Sequence, residues 1–396
     1  MQPYRINVPD HTLQVICDRV RAYRWDALVA PDGADDWRYG PPPTWLCEFC
    51  AYWTDQFDWR AQERRMNEFP HFLAEVDGID LHFVHERGSG SSPRPLLLAH
   101  GWPYSFHSYT ELIERLAHPE RFGGREEDAF SFSVVVPSMP GYDFSSRPVS
   151  PIGPKRIAPM FNRLMTEVLG YDRYFVHGGD WGSAIAEMLG FQFPETVAGI
   201  HITMLSVRHH GAPPRSNEVP TDASKEERDF AAVEASLWKG ESAYARIQAT
   251  QPLKLSAGMV DSPVGVAAWI VEAFHTWSDR RDRPFGEIFS RDQLLTEIML
   301  YLVTDAFGPA SWIYVAEGEE QYQMLPPGGR IEVPVGVAAY PDPVFPMPPR
   351  SVAERSHNIV RFSRMDCGGH FPFYEAPDGL LADLSEFVQE VGLLKG

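Results

Sequence analysis

Apolar, β-prone runs bounded by turn-forming residues recur along the chain. They lie at 81–86 (LHFVHE), 95–100 (PLLLAH), 132–138 (FSVVVPS), 173–178 (RYFVHG), 198–204 (AGIHITM), 333–340 (VPVGVAAY) and 359–365 (IVRFSRM). Several are apolar at successive positions rather than at alternate ones, the pattern of strands covered on both faces. Helical spacing falls between some of them, at 105–117, 155–169 and 182–192. Strand alternating with helix predicts a mostly parallel sheet flanked by helices, an α/β fold.

The alternation stops after 198–204. A polar, proline-rich loop (RHHGAPPRSNEVPTD) leads into helical patterns at 225–238, 241–248, 264–277, 291–303 and 309–317, with no strand pattern among them. A helical block between two strands of such a sheet reads as a lid over the C-terminal strand ends, where open α/β folds bind ligands. Residues 1–80 are rich in Trp, Tyr and Pro, and predict short helices and extended chain wrapped on the other parts. The expected division is therefore a meander over 1–80, a core over 81–207 and 329–396, and a lid over 208–328.

Composition narrows the partners. The net charge of -19 comes with no basic stretch, which excludes nucleic acid and anionic membrane. No window reaches the ~18 apolar residues of a membrane span, and the first residues do not form a signal peptide. Cysteines are sparse (Cys17, Cys47, Cys50 and Cys367), which fits a cytoplasmic location. Cys47 and Cys50 are three apart on a predicted helix, with no second CxxC and no His pair. They read as two buried thiols rather than a zinc site.

The chemistry gathers at three turns. Gly178-Gly179-Asp180-Trp181-Gly182 follows one predicted strand and opens a helix, the setting of a nucleophile elbow whose usual centre is serine. A carboxylate there suits attack on an alkyl carbon, as in opening an epoxide or displacing a halide, and does not suit acyl transfer. The plainer alternative is that Asp180 caps the helix. His100-Gly101-Trp102-Pro103 follows another strand. Its Trp102 N–H and the N–H of Trp181 are the candidate oxyanion donors, with Pro103 expected at the start of the next helix. His370 follows two glycines after the last strand and is the candidate base. The tandem His209-His210 reads as surface.

These three motifs, in this order and on these elements, resemble the epoxide hydrolase branch of the α/β-hydrolase fold. The N-terminal meander and long lid are similar to its microsomal-type subgroup, here without a membrane anchor. The resemblance covers nearly the whole chain. It implies two lid tyrosines that activate the ring oxygen, matched by Tyr244 in YARIQATQP and Tyr314 in GPASWIYVAEG. It also implies an acid behind the histidine in an F-P-x-E pattern. This chain reads AAYPDPVFP instead, with Pro343 at the glutamate's place and Asp342 one residue earlier; Asp366 is a poorer alternative. The activity implied is conversion of an epoxide to a vicinal diol through an aspartyl ester, with no cofactor and no metal. The expected substrate is a small-molecule epoxide, bulky and apolar or aromatic, and a homodimer is compatible with the reading. Two other readings stay open: a haloalkane dehalogenase with the same nucleophile, and a non-catalytic binding protein on a hydrolase scaffold.

Overall fold

The computed structural model describes residues 1–123, 130–208 and 214–393. Its centre is one nine-stranded sheet: β1 (Gln2–Tyr4), β2 (His71–Val76), β3 (Ile79–Glu86), β4 (Arg94–Ala99), β5 (Phe132–Pro137), β6 (Tyr174–Gly178), β7 (Val197–Ile202), β8 (Ile331–Ala339) and β9 (His357–Arg364). The spatial order is β1-β2-β3-β5-β4-β6-β7-β8-β9. β1, β2, β3 and β5 pair antiparallel, and all pairs from β5–β4 onward are parallel.

Two strands, β1 and β2, come from the first 80 residues, so this segment is part of the sheet as well as a wrapping. The turn between β2 and β3 is Asp77-Gly78, and both residues have positive φ (53° and 77°). Asp-Gly is the sequence signal for a two-residue hairpin of that kind. It sits in EVDGIDL, at the end of a strand in which Glu75 is exposed and His71 is buried. The rest of the segment is helical, chiefly Asp10–Arg21 and Pro43–Asp55. Cys50 is buried there but Cys47 is exposed, which corrects the expectation of two buried thiols. Residues three apart are offset by about 60° around a helix, and here the edge of the buried face falls between them.

The helix Trp181–Gln192 is buried continuously from Trp181 to Gly190. It therefore lacks the polar stripe of a surface helix. Gly182 lets it lie against β4: a Cβ at Gly182 would collide with the Ala99 carbonyl. Among the described residues between β7 and β8 there is no strand. The lid helices are Lys225–Glu241, Ala243–Thr250, Pro252–Met259, Pro263–Trp277, Arg291–Val303 and Trp312–Glu320, with shorter turns between. Ser224 with Glu227 and Ser290 with Gln293 form capping boxes at two of their starts. Among the described residues no single helix is long and apolar enough to cross a membrane.

Candidate active site

Neighbouring parallel strands bring the motifs together. β4 and β6 pair Ala99 with Gly178, so the His100–Pro103 turn and the Asp180 elbow leave the same sheet edge side by side. β8 and β9 also end there, delivering Asp342 and His370.

Asp180 has φ 50° and ψ -127°, and its side chain makes no capping bond to its helix. The capping alternative therefore fails. A non-glycine residue in that conformation persists only where its surroundings force it. Instead, the Trp102 N–H donates to Asp180 Oδ1 at 2.8 Å. A side chain at Gly101 would collide with this carboxylate, so only glycine admits the contact. Trp181 opens the helix, and its N–H is one of the donors that no carbonyl four residues back can satisfy. Pro103 is not at a helix start: it follows a cis peptide bond after Trp102, and the next helical turn begins at Phe106.

His370 Nδ1 lies 2.7 Å from Asp342 Oδ2, and its Nε2 lies 3.3 Å from Asp180 Oδ2. The second contact is off the hydrogen-bond line, which leaves Nε2 without a formal partner. Asp342 reaches the ring although it stands one residue early. Its other oxygen accepts the Val344 and Phe345 N–H groups at 2.8 Å each, which turns the loop back and fixes the carboxylate. Asp366 is exposed and takes no part. Burial favours the neutral imidazole, but the Asp342 and Asp180 carboxylates outweigh it and raise the His370 pKa to about 9. In the free protein this histidine is an imidazolium between two acids.

His100 is different. Its Nε2 accepts the Met139 N–H at 3.1 Å, and burial pushes its pKa down to about 4. It is a neutral packing histidine, not a base. His209 and His210 lie outside the described residues.

Tyr244 and Tyr314 come from separate lid helices and meet over the elbow, ring centroids 5.8 Å apart and planes crossing at 82°. Tyr244 stacks on Trp102 (5.2 Å, 10°), and Tyr314 stands edge-on to Trp181 (4.8 Å, 86°). The Tyr314 hydroxyl is buried with no hydrogen-bond partner. Burial first, and the Asp180 charge among the further causes, hold both phenols well above their usual pKa. They stay protonated and able to donate.

Sequence reasoning did not foresee how the lid holds the base. The His370 N–H donates to the Trp277 carbonyl at 3.0 Å. Glu375 accepts the Asp279 and Phe371 N–H groups at 2.6 and 2.9 Å, and Asp279 accepts the Gly368 N–H at 3.2 Å. Trp277 and Phe345 pack against the imidazole at 5.1 and 4.9 Å. The only hint in the sequence is polar residues flanking an aromatic helix end (HTWSD), a weak signal. Among the described residues, no group of three or more His, Cys, Asp and Glu is placed to hold a metal ion.

The sheet order, the elbow and the acid–base pair define an α/β-hydrolase, and the model of that fold matches residues 94–377. The epoxide hydrolase N-terminus matches residues 1–109. Epoxide hydrolase 1 of Sus scrofa is 32% identical over 416 residues, spanning 100% of this chain and 89% of the relative. Juvenile hormone epoxide hydrolase 1 of Ctenocephalides felis is 30% identical, spanning 97% of this chain and 84% of the relative. Among solved structures, the Aspergillus niger epoxide hydrolase superposes with TM-score 0.82 at 28% identity over 98% of this chain and 96% of its own. The juvenile hormone epoxide hydrolase of Bombyx mori superposes with TM-score 0.84 at 25% identity, over 100% and 95%. The chain belongs to the epoxide hydrolase family.

Proposed function

We propose that this chain hydrolyses an epoxide to a vicinal diol through a covalent ester on Asp180. One observation carries the reading. Asp180 is held in an elbow with Oδ1 on the Trp102 N–H, while Oδ2 faces the His370–Asp342 pair beneath two phenols.

In the first half-reaction Asp180 Oδ2 attacks a ring carbon. The carbon–oxygen ring bond breaks, and Tyr244 or Tyr314 gives its proton to the departing oxygen. A phenol suits this role because its bond strengthens as the alkoxide charge grows. The ester no longer carries the Asp180 charge. One of the two supports of the His370 imidazolium is thereby lost, its proton is released as the tyrosinate regains one, and the restored phenol leaves the ring free to act as a base. In the second half-reaction His370 takes a proton from water. The oxygen attacks Cγ of Asp180, and the resulting oxyanion on Oδ1 rests on the N–H groups of Trp102 and Trp181. The acyl–oxygen bond breaks and the departing oxygen takes the proton from His370, releasing the diol. The carboxylic acid left on Asp180 then gives its proton to His370, which restores the carboxylate and the imidazolium.

The occupied contact between Asp342 and His370 argues against a retired binding scaffold. The paired phenols and the family argue against a dehalogenase. The aromatic lining from Trp102, Trp181, Trp277 and Phe345 supports a bulky apolar or aromatic substituent, and a cytoplasmic setting fits the free cysteines.

The test is intact-protein mass spectrometry of His370→Gln mixed with styrene oxide. The expected result is a mass gain of one epoxide, on the peptide holding Asp180, absent in Asp180→Asn. A folded His370→Gln variant that gains no mass with styrene oxide or other aryl epoxides overturns the reading.

A further inference from the structure

Arg215, in the loop before the lid helix Lys225–Glu241, reaches toward the site. Its guanidinium lies 4.4 Å from the Trp238 ring centroid and 5.2 Å from that of Phe345. Phe345 packs on the His370 imidazole, so a single ring separates guanidinium and base. The backbone around Arg215 is built for this placement. Its φ is 61°, in the left-handed region, and its N–H donates to Glu234 Oε2 at 3.0 Å.

What the guanidinium lacks is a carboxylate in contact: Glu317 and Glu234 support its charge from beyond ion-pair distance. Among the described residues no carboxylate stands within ion-pair distance of it, and its side-chain contact is a long one to Met204 Sδ at 3.9 Å. Glu234 is committed elsewhere, to Arg208 at 2.7 Å and to the Arg215 backbone. Glu317, one turn beyond Tyr314, is hydrogen-bonded to the Gln323 amide. Burial and the Asp180 charge push its carboxyl toward the neutral form, although Arg215 opposes this. Two neighbouring rings with centroids 6.1 Å apart orient the guanidinium and strip its water, while its fork of N–H donors carries no carboxylate among the described residues. Such a fork matches the two oxygens of a carboxylate.

We propose that Arg215 selects an epoxide bearing a carboxylate, set beyond an apolar or aromatic spacer from the ring. The spacer keeps this anion away from Asp180. The inference rests on the epoxide hydrolase reading and adds the substrate's charge.

The experiment compares two epoxides of equal length, 4-(oxiran-2-yl)benzoate and 4-methylstyrene oxide. The wild-type protein should favour the carboxylate in kcat/KM. Arg215→Gln should reduce that preference by about tenfold to a hundredfold, the scale of a lost charge-assisted pair, with the methyl substrate little changed. Arg215→Lys should restore part of it. Independently of any variant, 4-ethylbenzoate should inhibit wild-type hydrolysis of styrene oxide more strongly than 4-ethyltoluene. Equal handling of charged and neutral compounds by the wild type overturns the proposal, and so does an equal loss on both substrates in Arg215→Gln. In either case turnover of 4-methylstyrene oxide leaves the epoxide hydrolase reading standing. A wild-type protein that consumes neither epoxide removes both.

Discussion

The two walls of the site are built by different physics. On the sheet side, position is set by backbone. Paired strand ends, a left-handed aspartate and glycines that tolerate no Cβ place Asp180 and the Trp102 N–H. On the lid side, position is set by side-chain packing. Tyr244 and Tyr314 sit on helices distant in sequence and are held by ring contacts, Tyr244 stacked on Trp102 and Tyr314 edge-on to Trp181. A backbone-built wall keeps its geometry whatever the substituents nearby. A packing-built wall can be re-shaped by a few substitutions, which lets one elbow serve many substrates. The base stands between them: its acid is fixed by a core loop, while its own N–H and ring rest on the lid residue Trp277.

The sharpest break between the walls is Asp342→Asn. It should leave ester formation close to normal but slow ester hydrolysis by about 10³–10⁴-fold, as loss of the carboxylate behind a catalytic histidine does. Single-turnover mass spectrometry then shows the ester accumulating. Rapid turnover without accumulation would show that another acid serves His370. On the lid side the pattern should reverse. Tyr314→Phe or Tyr244→Phe should slow ester formation by about 10²-fold each, and the double variant by more than either, with ester hydrolysis preserved. Rapid-quench measurement of the two half-reactions separates these outcomes.

Stability distinguishes the walls as well. Gly182→Ala drives a methyl group into the Ala99 carbonyl and should cost about 1–3 kcal/mol or prevent folding, read by urea denaturation. A pH-dependent effect concerns His370. Its folded pKa is raised from 6.5 to about 9, so the folded state binds its proton more tightly than the unfolded one. The resulting stabilisation is fully present below pH 6.5 and is lost as the pH rises through about 9. The stability difference between wild type and His370→Gln should shrink across that window. A difference that does not vary with pH would mean the imidazolium is not held by its two acids.

Legibility followed the same divide. The Asp180 elbow, the Trp102 turn and the His370 loop could be read because each is a local rule: small residues around one reactive residue at a strand end. β2 was missed because its apolar run, Phe72 to Ala74, is only three residues long between His71 and Glu75, although the Asp-Gly turn marked its end. Asp342 was readable as a candidate, but its reach was not. That depended on Val344 and Phe345 turning their N–H groups back onto it. Arg215 gave no signal, being one arginine in a polar loop whose aromatic neighbours arrive from elsewhere in the chain.

By itself the sequence determined the strand–helix alternation, the helical insertion and the residue at each tight turn. Apolar periodicity and the steric demands of glycine act over a few residues and need no distant partner. Only the tertiary structure decided that Asp342 touches His370, that two phenols cross above Asp180, that the lid holds the base and that a guanidinium lies near the site with no carboxylate in contact. Those are contacts between residues far apart in the chain, and the closure of the fold around a common sheet edge is what brings them together.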